Sequence, residues 1–419
     1  MKWKDLKSNL SWRGLLKDIA NEDSLKKLIN NGDAFYIGID PTSDSIHIGH
    51  FLSLSLVKIL SNYGLKPIIV LGGFTGMIGD PSGKNSEREI IDHSVVKNNV
   101  WKIGELIKEL CEKMDIKNFE IFDNNEVYEN LSIISLYQKY GKLFNINTML
   151  AKESVKNRIN QGISYTEFSY QLFQAIDFLY LFENKNVKLQ LGGSDQWGNI
   201  TAGIDLIRKF HGKEVDISGI TINLLTDENG NKIGKTSGKP IWLDIKKTSS
   251  YELFQFLINQ TDDMAQKLLL QATSITEKEF NEIKNEHQNN PKKKLLQNDL
   301  AKRFISIVHS LENYEKSFNL SKILFNEDYE KISKNDLYDL KNLPSIQNEN
   351  KSLMDLLIEK EYISSRRQYR EFLNNGSIKL NGKTIQDEKI ILKNEFYLEQ
   401  VCFINIGKKK RVLIWNNNI

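Results

Sequence analysis

The chain has 419 residues, of which 40% are hydrophobic and 26% are charged, and its formal net charge is +3. At roughly 150 residues per domain, this length allows two to four domains of a globular protein. We expect no membrane span, because no run of about 18 apolar residues occurs. A net charge this close to zero gives the protein no overall electrostatic attraction for nucleic acid.

The first half of the chain predicts alternating strands and helices, after an opening segment, residues 1–33, that we expect to be helical with a stop at Gly32. Apolar runs predict buried strands over 34–39, 67–71, 118–123, 187–191 and 220–225. Helices are predicted between them, over 50–63, 95–114, 130–140, 164–183 and 197–210. Such alternation is typical of a parallel sheet with helices on both faces, where ligands bind beyond the carboxyl ends of the strands.

The turn after the first buried strand is rich in hydrogen-bond donors. It reads Pro41-Thr42-Ser43-Asp44-Ser45-Ile46-His47-Ile48-Gly49-His50. Two imidazoles and a Thr hydroxyl can donate to phosphate oxygens at the start of a helix, and Gly49 lets a flat ring approach the backbone. Nucleotide binding and a helix cap with incidental histidines are about equally favoured. A zinc pair is disfavoured, because the other four histidines are scattered and neither cysteine is near.

Two Gly-rich loops are similar to a P-loop but do not fit its template. The glycines that bound 79–83 and those that bound 230–234 leave three residues between them where the template requires four. Asn85 also follows Lys84 where Ser or Thr is required. We therefore disfavour a P-loop nucleoside triphosphatase.

From about residue 247 to 335 the pattern becomes helical without strand signals. Its basic run at 292–294 is expected to be a solvated face, with RNA contact as the less favoured alternative. Residues 341–351 are expected to be a linker, because Pro344 is followed by several Asn and Gln.

The last 65 or so residues predict a compact unit of two helices and a hairpin. The second helix is expected to begin at Ser364 or Ser365, and the hairpin spans 378–385 with an Asn-Gly turn. From Ser352 to Ile419 twelve Lys and Arg face eight Asp and Glu, so this tail carries +4 and the rest of the chain −1. A polyanion is expected to dock there, although a solubilising basic helix explains the charge as well.

Cysteine usage and the amino terminus bear on location. Cys111 and Cys402 lie far apart in the sequence and are expected to be buried thiols, which fits a reducing cytoplasm. The charged amino terminus has no apolar segment behind it, so we expect no secretion signal.

Taken together, the motifs resemble the bacterial-type tyrosyl-tRNA synthetases, a family of class I aminoacyl-tRNA synthetases. The histidine signature of the class appears as His47-Ile48-Gly49-His50 and the lysine loop as Lys232-Ile233-Gly234-Lys235-Thr236. Segments 36–42, 79–84 and 192–199 look like the same family, and the tail resembles its S4 RNA-binding module. The departures are Ile233, where an aromatic is common, and Ser53, where Thr is often found.

The resemblance implies an α/β fold with four parts. These are a Rossmann-like parallel-sheet catalytic domain over 1–246, an α-helical anticodon-binding domain over 247–340, the linker over 341–351 and a small α+β S4-like RNA-binding domain over 352–419. It also implies a cytoplasmic homodimer without membrane contact, whose interface we expect within the apolar stretch 128–163; ordinary core packing is the alternative there.

The activity implied by the resemblance is tyrosine–tRNA ligation in two steps. The carboxylate of L-tyrosine attacks the α-phosphate of ATP, and the tyrosyl group then passes to the terminal adenosine of tRNA(Tyr). ATP is a substrate that brings Mg²⁺ on its triphosphate, and no tightly bound protein metal is expected. Without a covalent enzyme intermediate, catalysis depends on positioning and on stabilising charge.

The predicted tyrosine site centres on one helix. Tyr170, Gln174 and Asp177 stand at i, i+4 and i+7 and therefore share a face of the 164–183 helix. A carboxylate among apolar neighbours is costly unless it has a partner. The resemblance supplies one, since Asp177 and Tyr36 would bracket the phenolic hydroxyl of the substrate; core packing of Tyr170 and Gln174 would otherwise be the expectation.

The resemblance assigns the remaining roles as sets. Around the tyrosine ammonium and in the same site it places Tyr170, Gln174, Asp80 and Gln190. The phosphates would be met by Thr42, His47, His50, Lys232, Lys235 and Thr236, with Lys84 and Arg88 as helpers. The adenosine of ATP would lie near Gly38, Asp40, Gly49, His50, Gly193, Asp195 and Gln196. The tRNA would contact Lys152, Lys156, Arg208 and Lys209 at its acceptor stem, and Arg366, Arg367, Arg370, Lys379 and Lys383 in the tail.

Three other functions compete with this interpretation. A nucleotidylyltransferase of another kind shares the His-x-Gly-His turn but needs neither the Tyr36–Asp177 pair nor the basic tail. A non-catalytic RNA-binding relative would have lost the ATP motifs, which are intact in this chain. A tryptophanyl enzyme would not call for the Tyr36–Asp177 pair.

Overall fold

The computed structural model describes residues 2–83, 91–160, 162–226, 235–236, 239–341, 343, 345–393, 395–407 and 410–416. The chain forms two compact units, one of Met1–Asp244 with Gln260–Val308 and the other of Ile245–Asn259 with His309–Ile419. The predicted helical region 247–340 is thus divided between the units, and the four-part division into domains stays a prediction. Within the described ranges, no helix is long and apolar enough to cross a bilayer.

A six-stranded sheet forms the centre of the first unit. Its strands are β1 (Leu16–Ile19), β2 (Ala34–Ile39), β3 (Lys66–Leu71), β4 (Glu120–Asp123), β5 (Val187–Gly193) and β6 (Ser218–Ile222), in the order β1-β6-β5-β2-β3-β4. Strands β2 to β6 pair in parallel. The predicted α/β class is therefore confirmed. Two short strands, β7 (Lys235–Thr236) and β8 (Lys239–Pro240), pair separately.

In chain order, the helices are α1 (Lys2–Trp12), α2 (Glu22–Asn31), α3 (Ile48–Asn62), α4 (Thr75–Ile78), α5 (His93–Lys113), α6 (Asn125–Tyr128), α7 (Ile133–Ser135), α8 (Ile146–Leu150), α9 (Glu153–Ile159), α10 (Tyr165–Lys185), α11 (Trp197–His211), α12 (Ser250–Ile258), α13 (Asp262–Ala272), α14 (Glu277–Asn289), α15 (Leu295–Val308), α16 (Leu311–Asn326), α17 (Lys334–Leu340), α18 (Leu353–Glu359) and α19 (Arg366–Asn374).

The prediction of helices throughout 1–33 is wrong at β1. This strand pairs antiparallel with β6 at the edge of the sheet, and Thr221 ties the two strands together. Its hydroxyl donates to Asp18 Oδ2 at 2.8 Å and accepts from the Asp18 N–H at 3.2 Å. A pairing across two hundred residues leaves no periodic signal in four residues of sequence. The predicted helix over 130–140 is also partly replaced, since a π-helical turn, Leu136–Tyr140, follows α7.

Two helices fix the orientation of the site. The chain leaves β2 at Ile39 and enters α3 with His47 as its N-cap, so the donor-rich turn lies at the carboxyl end of a central strand. Ser164 caps α10 by accepting from the N–H of Glu167, and Asn186 ends the helix in the left-handed region at φ 52°. Between these caps α10 runs unbroken, which keeps the face predicted from its spacing intact.

The second unit holds a five-stranded sheet. Its strands are β9 (Ser345–Gln347), β10 (Ile378–Leu380), β11 (Lys383–Thr384), β12 (Val401–Ile406) and β13 (Lys410–Trp415), in the order β11-β10-β12-β13-β9. The predicted hairpin is confirmed, with Asn381 and Gly382 both at positive φ (49° and 82°) in its turn.

Both faces of this second sheet are buried. One face packs on α18 and α19, and the other, through Phe403 and Leu413, packs on residues of α12, α16 and α17. The sheet and these three helices therefore share a core, which differs from the expectation that the tail folds as a separate unit. The linker expected over 341–351 is likewise wrong at 345–347, because β9 pairs in parallel with β13 and buries Ile346.

Candidate active site

A cavity of about 350 Å³ opens in the first unit at the carboxyl ends of β2, β3 and β5, which is where a parallel sheet holds ligands. It collects most residues that the sequence assigned to tyrosine and ATP. They are Tyr36, Gly38, Asp40, Thr42, His47, His50, Asp80, Tyr170, Gln174, Asp177, Gln190, Gly193 and Gln196. The cavity thus brings together side chains separated by up to 160 residues of sequence.

The two signature histidines form the start of α3. His47 Nδ1 accepts from the Gly49 N–H at 3.1 Å, and His50 Nδ1 accepts from the His47 N–H at 3.2 Å. Because each Nδ1 is an acceptor, a neutral ring carries its proton on Nε2. Burial, followed by the nearby His47, lowers the pKa of His50 to about 3, so its ring is neutral. The pair therefore offers neutral N–H donors rather than positive charge.

Two glycines that line the cavity differ in the space around them: Gly38 in β2 is open, and Gly72 after β3 is crowded. No atom lies within 4 Å of the position that a Cβ on Gly38 would take, so a flat group can lie there. A Cβ on Gly72 would stand 2.1 Å from Asp40 Oδ1 and 2.5 Å from Thr75 Oγ1. Glycine at 72 therefore permits the hydrogen bond from the Thr75 hydroxyl to Asp40 Oδ1, which spans 2.8 Å.

Neutral donors hold two carboxylates in the cavity wall. The Tyr170 hydroxyl donates to Asp40 Oδ2 at 2.9 Å, and Gln196 Nε2 donates to Asp80 Oδ2 at 2.6 Å. Asp80 is buried and also accepts from the backbone N–H of Ser82 at 3.0 Å. Carboxyl groups held by neutral donors suit an ammonium ligand. Gln196, which was predicted to bind ATP, therefore forms a hydrogen bond with Asp80, which was predicted to bind tyrosine.

The third carboxylate, Asp177, is the most deeply buried of the three, at 3% exposed. Asn124 Nδ2 donates to its Oδ2 at 2.8 Å, and the Tyr128 hydroxyl donates to its Oδ1 at 2.7 Å. Burial raises the pKa of Asp177 to about 7, although both hydrogen bonds act in the opposite direction. Ionisation of this group is therefore finely balanced near neutral pH.

Three buried polar atoms of the cavity lining lack a partner among the described residues. They are the Tyr36 hydroxyl, Gln174 Oε1 and Gln190 Oε1, all on residues that line the cavity. Unpaired buried polar atoms are uncommon in native proteins, because each costs free energy. A ligand with complementary donors and acceptors would satisfy them. Tyr36 stays a neutral phenol, because burial and then Asp177 raise its pKa well above its ordinary value.

Some predicted site residues are not placed in the cavity. Gly49 and Asp195 do not line it; Gly49 lies in the first turn of α3 and Asp195 in the turn after β5. Lys84, Arg88 and Lys232 fall outside the described residues, as do the side chains of Lys235 and Thr236, whose backbone forms β7. The cations predicted for the triphosphate all belong to these two loops, and the described part of the cavity is acidic.

The predicted acceptor-stem residues differ in environment. Lys156 is exposed, whereas Lys152 is half-buried and donates to Thr201 Oγ1 at 2.8 Å. Burial lowers the pKa of Lys152. Lys209 donates to the Leu143 carbonyl, and Arg208 Nε is buried with no partner in the described ranges.

Of the five basic residues predicted for tRNA in the tail, three are paired with carboxylates. Arg366 lies 3.2 Å from Asp355, Arg370 lies 2.8 Å from Glu388, and Lys379 lies 2.8 Å from Glu327. Arg367 and Lys383 are exposed. Across the part of the chain that the structure describes, neither of these two has a carboxylate partner.

Sequence reasoning missed the residues that hold the carboxylates of the cavity in place. Asn124 and Tyr128 hold Asp177, and Thr75 holds Asp40. A signal for Asn124 was present, because it directly follows the predicted strand 118–123, at the same edge of the sheet as the loops after 39, 71 and 191. No comparable signal marks Tyr128, whose role depends on its distance from Asp177.

A second cavity, of about 230 Å³, lies among the carboxyl ends of α1, α3, α5 and α13 and is lined by three cations, Arg13, Lys58 and Lys113. Each donates to main-chain carbonyl oxygens. Arg13 donates to those of Leu270, Thr273 and Ile275, Lys58 to that of Asp115, and Lys113 to that of Val308. These cations neutralise the negative ends of helices, which is a structural role. Over the described residues no group of three or more metal-ligating side chains occurs.

Comparison with known proteins shows that two family models match this chain. Residues 30–326 match the family described as tRNA synthetases class I (W and Y), and residues 337–414 match the C-terminal domain described as Tyrosine--tRNA ligase SYY-like. A tyrosine--tRNA ligase of Mycoplasma mycoides subsp. mycoides is 42% identical over 97% of both chains. One of Limosilactobacillus reuteri is 41% identical over 91% of this chain and 92% of its own.

Solved structures are similar as well. A C-terminally truncated mitochondrial tyrosyl-tRNA synthetase of Aspergillus nidulans is 28% identical, with a TM-score of 0.69 over 76% of this chain and 94% of its own. A tyrosyl-tRNA synthetase of Archaeoglobus fulgidus complexed with L-tyrosine has a TM-score of 0.55 at 16% identity, over 74% of this chain and 99% of its own. The latter similarity concerns the fold alone.

Proposed function

The chain belongs to the class I tRNA synthetases and, within them, to the tyrosine–tRNA ligases, and on this basis we propose how its cavity performs the reaction. The enzyme activates tyrosine with ATP, which gives tyrosyl-adenylate and pyrophosphate, and then transfers the tyrosyl group to the 3′-terminal adenosine of tRNA(Tyr). The proposal concerns which residues bind, orient and stabilise each group.

The phenol ring of tyrosine would lie between β2 and α10. Its hydroxyl would donate to Asp177 and accept from the Tyr36 hydroxyl, which otherwise has no partner in the described part of the chain. Phenylalanine would leave the Tyr36 hydroxyl unpaired and would give Asp177 no further donor, and a buried unpaired group costs about 1–3 kcal/mol. This single observation, an unpartnered buried hydroxyl beside a buried carboxylate, favours tyrosine over tryptophan or phenylalanine.

The ammonium of tyrosine would lie at the opposite end of the same pocket. Asp80 supplies the negative charge there, and Gln174 Oε1 is a buried acceptor without a partner in the described ranges. Tyr170 would orient the ammonium through its hydroxyl, which donates to Asp40. The tyrosine carboxylate is then directed towards the histidine end of the cavity, where the α-phosphate must be.

Thr42, His47 and His50 would contact ATP as neutral donors at the start of α3. They are suited to charge that moves onto the phosphate oxygens as pyrophosphate leaves, because fixed donors need no reorganisation. The positive charge that the triphosphate requires would come from Lys232, Lys235, Lys84 and Arg88. Mg²⁺ would enter as part of the substrate, on the oxygens of the triphosphate.

A second copy of the chain is the proposed partner. The exposed large apolar side chains include Ile133, Ile134, Tyr137, Ile146, Ile159 and Tyr165, all within 33 residues of one another. Exposed apolar surface is typical of protein interfaces, which supports this proposal. The tRNA is proposed to contact the basic residues named above; in the tail, Arg367 and Lys383 are the two of these that have no carboxylate partner among the described residues.

The deciding experiment is tyrosine-dependent exchange of labelled pyrophosphate into ATP, run against tryptophan and phenylalanine. Tyr36→Phe should lower kcat/KM for tyrosine by about tenfold or more, since it removes one hydrogen bond to the substrate, and should not lower the weak reaction with phenylalanine, which makes no such bond. Equal losses for both amino acids would contradict the pocket.

The phosphate roles need a separate variant. Lys235→Ala should lower the rate of adenylate formation with little change in tyrosine affinity, because its contact is made to the transition state. Lys292→Ala removes an exposed lysine in the turn after α14 and serves as the matched control. An unchanged adenylation rate in Lys235→Ala would rule this role out.

A further inference from the structure

Tyr128 lies behind the carboxylate that is proposed to receive the phenol of the substrate. Its hydroxyl oxygen is 2.7 Å from Asp177 Oδ1 and 2.8 Å from the carbonyl oxygen of Phe173. Both neighbours accept hydrogen bonds, yet a phenol has a single proton, so the hydroxyl can donate fully to only one of them. The direction of that proton depends on whether Asp177 is ionised.

Two arrangements satisfy these atoms. When Asp177 is ionised, Tyr128 donates to Oδ1 and Asn124 donates to Oδ2, so both carboxylate oxygens keep spare lone pairs for a further donor. When Asp177 is protonated, its own hydroxyl can donate to the Tyr128 oxygen while Tyr128 donates to Phe173. Only the first arrangement presents an ionised acceptor to the cavity, and an ionised acceptor forms the stronger, charge-assisted hydrogen bond with a phenol.

We propose that Tyr128 is a positioning residue for tyrosine selection: its hydroxyl proton holds Asp177 as an oriented carboxylate that accepts a hydrogen bond from the substrate phenol. The inference depends on the proposed role of Asp177 in binding tyrosine and goes beyond it. It identifies Tyr128 as the residue that sets the fraction of Asp177 that is ionised and able to accept a hydrogen bond from the substrate.

The ring of Tyr128 is held independently of its hydroxyl. It stacks on Phe74 with centroids 3.9 Å apart, and it meets Phe173 edge-on at 5.6 Å. Tyr128→Phe therefore removes the donor and keeps the packing. Asn124 is less suitable for substitution, because its Oδ1 also accepts from the Phe74 N–H at 2.8 Å and its Nδ2 donates to Thr75 Oγ1 at 3.0 Å.

The groups that face Asp177 come from four regions of the first unit. They are Tyr36 on β2, Asp40 after β2, Asp123 at the end of β4, Asn124 and Tyr128 around α6, and Tyr170 on α10. Burial and the two neighbouring aspartates favour the protonated form of Asp177, and the hydrogen bond from Tyr128 favours the ionised form. Because the pKa of Asp177 is about 7, loss of one donor should lower the ionised fraction of Asp177 at neutral pH.

The test is the pH dependence of tyrosine activation by Tyr128→Phe in the full chain, from pH 6 to 9. The acid limb of kcat/KM for tyrosine reports the free enzyme, and it should move up by about one pH unit when a hydrogen bond to the carboxylate is lost. We expect a loss of about tenfold at pH 6.5, little difference at pH 9, and kcat at saturating tyrosine within about twofold of the wild type.

Tyr329→Phe is the matched control. It also removes a buried phenol hydroxyl, which donates to Asn405 Oδ1 at 3.2 Å, but it does so in the second unit. Its pH profile should be that of the wild type. An acid limb that stays in place in Tyr128→Phe, or that shifts equally in Tyr329→Phe, would overturn the inference.

A measurement on the unaltered protein covers the case in which Tyr128→Phe does not fold. Calorimetry of tyrosine binding at pH 6.5, in two buffers of different ionisation enthalpy, should show proton release, because binding selects the ionised form of Asp177. Binding without proton release would refute the proposal. If the wild type failed to exchange pyrophosphate with tyrosine at all, the proposed function itself would be wrong, which is a separate outcome.

Discussion

Replacement of Asp177 by asparagine should stabilise the ligand-free protein, and more so as the pH rises. The unfolded chain ionises this carboxyl at its ordinary pKa of 3.8, whereas burial raises the folded value to about 7. Between those values the folded state binds more protons than the unfolded state, so the stability of the wild type falls as the pH rises. The amide has no charge, and Asp177→Asn should not show that fall.

The magnitude follows from the same two values. With a folded pKa of about 7 against 3.8, ionisation costs the wild type roughly 1–2 kcal/mol at pH 5 and roughly 4 kcal/mol at pH 8. The hydrogen bonds need not be lost, because Asn124 can donate to the new amide oxygen. The new NH₂ can donate to Tyr128, whose proton then goes to the Phe173 carbonyl, 2.8 Å away. The advantage of Asp177→Asn should therefore grow by roughly 2–3 kcal/mol from pH 5 to pH 8.

Urea unfolding followed by tryptophan fluorescence is a suitable assay, because five of the six tryptophans lie in the first unit. Glu105→Gln, an exposed carboxylate on α5, is the control and should show no pH-dependent gain. A stability difference between Asp177→Asn and the wild type that is the same at pH 5 and pH 8 would refute the reasoning.

Three further predictions concern other parts of the chain. Ile134→Asp, which places a charge on an apolar side chain that is 68% exposed, should convert the proposed dimer to a monomer in sedimentation; an unchanged mass would contradict the proposed interface. Glu167→Gln should lower the free energy of unfolding by about 3 kcal/mol, because it leaves Arg158, 1% exposed, without the carboxylate 2.8 Å away. Arg367→Ala should weaken tRNA binding and reduce its salt slope by about 1, and Arg366→Ala, already paired with Asp355, should have a smaller effect; equal effects would contradict that distinction.

The parts of the site that could be predicted from sequence are those fixed by local spacing. The i, i+4, i+7 pattern on α10 was enough to place Tyr170, Gln174 and Asp177 on one face, because an unbroken helix converts spacing into direction. The start of α3 was likewise predictable, since a donor-rich turn between a buried strand and a helix has few possible geometries.

The parts that could not be predicted depend on pairings between distant residues. β1 exists because it meets β6, and β9 exists because it meets β13; neither has enough residues to show a period of its own. The contact of Tyr128 with Asp177 joins a four-residue helix to α10, and nothing in either segment alone indicates it. The shared core of the second sheet with α12, α16 and α17 was missed for the same reason.

The ligand-free cavity concentrates several unfavourable features in one place. The Tyr36 hydroxyl, Gln174 Oε1 and Gln190 Oε1 lack partners within the described residues, and Asp177 ionises at a cost. Where the first unit buries charge away from this cavity, as in the Arg158–Glu167 pair, opposite charges meet at 2.8 Å. A folded protein tolerates such local conflict where function requires it. Tyrosine would provide hydrogen-bond partners for these groups when it binds. Part of its binding free energy would therefore come from removing unfavourable features of the ligand-free protein. A substitution that removes the conflict, as Asp177→Asn does, should therefore stabilise the empty protein and weaken tyrosine binding together.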